Sequence, residues 1–278
     1  MLPATLLSLL VLPVRARQTS QQKPLQALAC PDHKYKVHLV SRDPLVIYIP
    51  EFITAEEAKH LQESTSDKFS RSGIADESGA QRQAETRTSS SASLSARDDI
   101  IRCIEERART FQSPALPRSH LEPLQLVKYG VGEQYHEHTD WFTSSLQAGP
   151  EFGGNRLSSF FVYVQVSEDI VGGGTRFPFL DAPGVPKVES LGTGFFKPGV
   201  GGATEEWCGY VDCDEPWDNG LTFRPVERSA VFWMNLLPGG RGDERTLHAG
   251  LPVTKGQKTG MNIWTREGPL DDKYRGDD

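Results

Sequence analysis

No run in this 278-residue chain is apolar for the roughly 20 residues that a bilayer-spanning helix needs. The N-terminal stretch Leu2 to Pro13 is apolar but short. It suits the core of a signal peptide, with Val14-Arg15-Ala16 as a small-residue cleavage site, although no Lys or Arg precedes it. Residues 1–16 are therefore read as a signal peptide or N-terminal anchor. Positive charge is in deficit, since 30 Lys and Arg face 37 Asp and Glu, for a formal net charge of −7. That balance argues against a nucleic-acid partner, because neutralising phosphates takes clustered basic residues. Cysteine is scarce, at four residues: Cys30, Cys103, Cys208 and Cys213. The Cys208-x₄-Cys213 spacing lacks the second half of a zinc site. After a secretion signal, four cysteines permit two disulfides in three connectivities. Cys208 and Cys213 share a short segment and are the favoured pair, with Cys30 and Cys103 as the other candidate pair; the sequence leaves the pairing open. No Asn-x-Ser/Thr sequon occurs, which neither supports nor excludes the secretory route.

What is present points to a β-rich domain with a core of ordinary size. Glycine (26) and proline (19) supply many turns, and 37% apolar content is usual for a folded soluble domain. Residues 17–44 are polar and mixed, and read as a linker. Leu45 to Ile49 is a β-branched strand. Thr54 with Glu57 three residues later forms a capping box, opening a helix to about Phe69. Ser70 to Ser93 reads as a long surface loop or mobile lid. Ile100, Ile101, Ile104 and Ala108 recur at helical spacing within Asp98 to Phe111. From Leu124 onward the texture is short strands: 124–129, 158–166, 230–234 and 260–265. Residues 267–278 form a charged tail. Helices first and then many strands suggest an α+β arrangement around a β-barrel or jelly roll.

The chemistry concentrates in His136, His138 and Asp140, which would share one face of a regular strand. His248 lies far downstream, followed by Lys258. Two imidazoles and one carboxylate form the ligand set of a mononuclear non-haem iron(II) site with open coordination positions. A dinuclear zinc hydrolase would need another His directly after Asp140, where Trp141 stands, and further ligands between 141 and 247, where no histidine occurs. A basic residue near the distal His explains the open face: it pairs with the remote carboxylate of a 2-oxo-dicarboxylate co-substrate. Spacing alone does not separate Lys258 from Lys255 for that role.

These residues carry a family resemblance over about 45–266. In order they are Tyr48 to Phe52, Arg87 to Ser89, Leu126 to Gly130, Tyr135 to Asp140, Asn155-Arg156, Gly172 to Pro178, Ala230 to Trp233, Leu247 to Val253 and Gly256 to Lys258. The chain resembles the prolyl 4-hydroxylase α-subunit catalytic domain of the iron(II)- and 2-oxoglutarate-dependent dioxygenases. The Cys208 to Asp214 insert and Asn262 to Trp264 look like fungal members. The resemblance implies a double-stranded β-helix (jelly-roll) core with flanking N-terminal helices. It implies Fe(2+) on His138, Asp140 and His248, with His136 surplus. It places the distal carboxylate of 2-oxoglutarate on Lys258, with Tyr129 and Thr175 as further co-substrate contacts. It assigns Tyr135, Arg156, Trp264 and Arg87 to the substrate groove. It implies ascorbate as reductant, O₂ as co-substrate, and hydroxylation of a prolyl peptide with succinate and CO₂ as co-products. A small-molecule substrate on the same scaffold is the alternative. No partner subunit is implied. The expected location is the endoplasmic reticulum lumen or secretory pathway, with the cytoplasm as alternative. Two positions depart from the family pattern: Gly174, where Glu is usual, and Thr259, where Trp is usual. Both are expected near the substrate side.

Overall fold

The computed structural model describes residues 30–75, 81–94, 97–181, 207–214 and 220–276. The first sixteen residues, read as a signal or anchor, lie outside them. A hairpin of β1 (His38–Arg42) and β2 (Leu45–Ile49) leads to α1 (Ala55–Thr65). Short strands β3 (Ser70–Arg71), β4 (Ile74–Ala75), β5 (Gln81–Arg82) and β6 (Ser90–Leu94) precede α2 (Asp99–Gln112). Then come β7 (Leu124–Tyr129), β8 (Tyr135–His138), β9 (Arg156–Val166), β10 (Val171–Gly172) and β11 (Thr175–Phe177). The chain closes with β12 (Leu221–Phe223), β13 (Ala230–Met234), β14 (His248–Gly250), β15 (Val253–Lys255), β16 (Lys258–Arg266) and α3 (Asp272–Arg275).

Eight strands form a major antiparallel sheet in the order β1-β2-β13-β9-β16-β7-β6-β3, and four form a minor sheet, β12-β11-β14-β8. The major sheet is buried on both faces, which explains the unbroken apolar run Phe160 to Val164 in β9. One face packs Leu126, Phe160, Val162, Met261 and Ile263 against Leu61 of α1 and Ile101, Ile104 and Ala108 of α2. The other meets the minor sheet through Tyr163, Val231 and Trp233 against Phe177 and Phe223. This is the expected double-stranded β-helix with helices on its back. The α1 capping box forms as read: Thr54 Oγ1 accepts from Glu57 N and Thr54 N donates to a Glu57 carboxylate oxygen. Asp98 caps α2 by accepting from the amides of Ile100 and Ile101.

Three stretches are more structured than the sequence suggests. The linker reading extends over β1, whose residues pair with β2 at the sheet edge. The expected loop from Ser70 to Ser93 holds β3 to β6, and β6 extends the major sheet beside β7. The charged tail is docked: Arg275 is 1% exposed, donating to Leu121 O (2.7 Å) and Glu105. Both disulfides form, Cys30–Cys103 tying the N-terminal segment to α2 and Cys208–Cys213 closing a local loop. Among the described residues, no helix is long and apolar enough to cross a membrane.

Candidate metal centre and its pocket

The minor sheet brings the ligand set together. His248 on β14 stands opposite His138 on β8, and Asp140 follows two residues after His138. One ligand atom from each of His138, Asp140 and His248 lies within 4.8 Å of the others. The backbone sets both imidazoles for metal binding. His138 Nδ1 bonds the carbonyl of His136 (2.8 Å) and His248 Nδ1 bonds that of Thr246 (2.9 Å). Each Nδ1 is thereby the protonated nitrogen, and each Nε2 keeps a lone pair for the metal. Burial, reinforced by the neighbouring His248, pushes His138 down to about 3, so the ring is neutral at physiological pH. Burial opposes ionisation of Asp140, yet His248, Arg156, His138 and the Ser159 hydroxyl together hold its carboxyl below the usual range. Ser159 Oγ donates to Asp140 (2.6 Å) and accepts from Asn235 Nδ2 (2.9 Å). The donor set, tautomers and charge fit a ferrous ion.

His136 takes no part, and the reason is a β-bulge. His248 pairs with His138, but Gly250 pairs with Tyr135, so β8 carries an extra residue across from β14. The bulge breaks the alternation that would have placed His136 beside His138. His136 faces solvent, contributing only its carbonyl. Trp141, where a second zinc ligand would have stood, lies over Gly242 and donates Nε1–H to Asp243 O (3.2 Å).

A cavity of about 980 Å³ opens on the triad. Tyr129 and Thr175 line it. Lys258 lies beside Tyr129 in the β16–β7 register and is 1% exposed. Its ammonium donates to Gly173 O and stands 4.7 Å from the centroid of Tyr129 and 5.3 Å from that of Phe161. Gly173 has φ +71° and no side chain, which lets the Lys258 stem pack against its backbone. Among the described residues Lys258 has no carboxylate partner, and burial pushes it down to about 7. A buried ammonium without a counter-ion fits the distal carboxylate of 2-oxoglutarate. Burial also pushes Tyr129 up to about 12, so its phenol remains a proton donor. Lys255, the alternative, is exposed and pairs with Asp169.

The four residues expected in the substrate groove all line the same cavity. Tyr135 stacks on His138, with centroids 3.6 Å apart, and Arg87 lies 4.7 Å above Tyr135. Arg156 lies 3.6 Å over Trp264 and 4.0 Å from Asp140. The residue that orients Arg156 is Glu122, which takes both its Nε (2.8 Å) and Nη2 (2.9 Å) and also Arg266 Nε (2.6 Å). Glu122, Ser159 and Asn235 escaped the sequence reading. Ser158-Ser159 ahead of the apolar run of β9 was the available signal for one of them.

The two departures from the family pattern are not on the substrate side. On β16, Lys258 lies on the face of Tyr129, Phe161 and Tyr163, so Thr259 points with Met261 and Ile263 toward the helices. A Cβ on Gly174 would meet Thr222 Cγ2 at 2.7 Å and Phe223 O at 2.8 Å, in the wall formed by β12. Their expected place near the substrate side is corrected accordingly.

Residues 124–266 match the family model described as the 2OG-Fe(II) oxygenase superfamily. The chain is 28% identical over 232 residues to a probable prolyl 4-hydroxylase 9 of Arabidopsis thaliana, covering 82% of this chain and 71% of the relative. It is 31% identical over 242 residues to prolyl 4-hydroxylase subunit alpha-3 of Mus musculus, covering 85% of this chain and 36% of that subunit. A solved structure of the viral collagen prolyl hydroxylase of Paramecium bursaria Chlorella virus-1, with 2OG, shares the fold. Its TM-score is 0.51 at 20% identity, over 80% of this chain and 95% of that one. With its His-x-Asp and distal His gathered in a double-stranded β-helix, the chain belongs to the 2OG-Fe(II) oxygenase superfamily as a prolyl 4-hydroxylase-like enzyme.

Proposed function

We propose that the protein hydroxylates a prolyl residue of a peptide at C4, using Fe(II), 2-oxoglutarate and O₂. The buried Lys258 ammonium, with no carboxylate partner among the described residues, is the observation that carries the co-substrate reading. When bound, iron and 2-oxoglutarate would supply the oxidation, one atom of O₂ going into succinate as 2-oxoglutarate loses CO₂ and the other into the substrate hydroxyl; ascorbate would keep the iron ferrous.

The chain's own residues hold the reactants and exclude water. His138, Asp140 and His248 hold the metal through Nε2, a carboxylate oxygen and Nε2. Ser159 fixes the carboxylate. Lys258, Tyr129 and Thr175 receive 2-oxoglutarate, Lys258 by charge and Tyr129 by its retained phenolic proton. Tyr135 and Trp264 offer flat apolar faces to a pyrrolidine ring, and Arg156, held by Glu122, offers N–H groups to a peptide carbonyl. The cavity volume, about 980 Å³, exceeds a single pyrrolidine severalfold and suits a chain of residues. The relatives named prolyl 4-hydroxylases support the same substrate. Two disulfides suit an oxidising compartment, and the secretory pathway is the proposed location.

The test is incubation with iron, 2-oxoglutarate, ascorbate and a panel of proline-containing peptides, read by fragment mass spectrometry. A gain of one oxygen on proline supports the reading. Succinate formed only in the presence of a small molecule, with every peptide unmodified, would overturn it.

A further inference from the structure

The cavity that holds the triad extends past the strands to the end of the chain. Tyr274, on α3, lines it, and α3 lies beyond the segment 124–266 that matches the family model. Here Leu270 N donates to Ser119 O (2.8 Å), and Asp271 caps α3 by accepting from Lys273 N (3.0 Å). Arg275 is buried against Leu121 O and Glu105, and its own carbonyl accepts from Arg97. Glu105 also pairs with Arg97 at 2.7 Å. Two guanidiniums on one fully buried carboxylate fix the tail to the middle of α2 and to the segment before β7.

That anchor leaves the neighbouring Tyr274 facing the cavity. Its ring packs on Phe152, with centroids 4.9 Å apart, and stays 42% exposed. Leu146, 63% exposed, lines the same cavity. Exposed apolar side chains gathered in a cavity, not scattered over the surface, mark ground that a ligand covers. The ground is continuous with the site of chemistry, so the occupant is the substrate itself, beyond its reacting ring.

We infer that Tyr274, with Phe152, forms an apolar shelf that seats an apolar side chain of the peptide flanking the target proline, making the C-terminal segment a specificity-determining part of the site. This rests on the peptide reading above. Aromatic and aliphatic side chains suit the shelf, because an offset ring contact and the burial of exposed apolar surface both favour them.

The experiment compares the iron- and 2-oxoglutarate-loaded full chain with Tyr274→Ala and Tyr274→Phe. Substrates are proline peptides that differ at one flanking position by Gly, Leu, Phe or Glu. Wild type is expected to prefer Leu and Phe to Gly. In Tyr274→Ala, kcat/KM for the Leu and Phe peptides should fall about tenfold through KM, and the preference over Gly should collapse. Tyr274→Phe should keep the preference, since the ring does the seating. The same preference in Tyr274→Ala as in wild type, a loss confined to kcat, or a wild-type preference for Glu each overturns the shelf. Wild type that modifies no proline peptide overturns the peptide reading along with it, which separates the two failures.

Discussion

Replacing Lys258 by methionine is expected to raise the stability of the co-substrate-free protein while destroying its affinity for 2-oxoglutarate. Methionine keeps the length of the stem and loses the charge. In the free protein the ammonium is buried, lacks a carboxylate among the described residues, and is pushed from 10.5 to about 7. At neutral pH that displacement corresponds to roughly 4 kcal/mol held against folding, and swapping buried charge for an apolar group often returns about 1–4 kcal/mol. Each kcal/mol moves the melting temperature of a chain this long by about 2–4 °C. The sign with pH follows from proton counting. The unfolded lysine binds a proton that the folded one lacks between about 7 and 10.5. The wild-type free protein therefore gains stability as pH rises through that window, and Lys258→Met flattens the slope. Binding runs the other way. The distal carboxylate restores a buried ion pair, and losing such a charge-assisted contact costs about 2–5 kcal/mol, or roughly 30- to several-thousand-fold in affinity. Thermal melts and calorimetry with 2-oxoglutarate on the metal-loaded protein measure both. A variant that melts lower than wild type without ligand, or that binds 2-oxoglutarate within threefold of wild type, would refute this account of Lys258.

Other perturbations test the supports of the site and the fold. Ser159→Ala removes the hydroxyl that holds Asp140 and is expected to weaken ferrous-ion affinity about 10–100-fold in a metal titration, with the far-ultraviolet circular dichroism retained. Gly174→Glu drives a Cβ into Phe223 O and Thr222, so it is expected to cost more than about 2 kcal/mol in denaturant unfolding, despite restoring the family's usual residue. Thr54→Ala breaks the capping box and is expected to cost about 1 kcal/mol in the same assay while leaving turnover intact.

Much of this was legible in sequence because local rules and the tertiary structure agree. The Thr54 cap, the helical spacing of Ile101, Ile104 and Ala108, and the apolar run of β9 each point to the environment they occupy. His138, Asp140 and His248 were visible as a ligand set. Family resemblance, not spacing, singled out His138 from His136, because the deciding bulge lies in the pairing of β8 with β14. Glu122 was invisible for a similar reason. Its two arginine partners lie 34 and 144 residues away, and nothing near Glu122 announces them. Thr259 was expected near the substrate side, but it follows Lys258 on β16, and adjacent strand residues face opposite ways. Arg275 read as part of a charged tail, and only the fold supplies the buried Glu105 that it meets.

In the proposed chemistry, His138, Asp140 and His248 would hold the iron that couples 2-oxoglutarate to hydroxylation. Succinate release by ferrous-loaded wild type and His248→Ala, measured with and without a modified peptide, tests it most directly. Wild type should release succinate in step with oxygen gained by the peptide, and His248→Ala should release none above the protein-free background. Undiminished succinate from His248→Ala would contradict the claim.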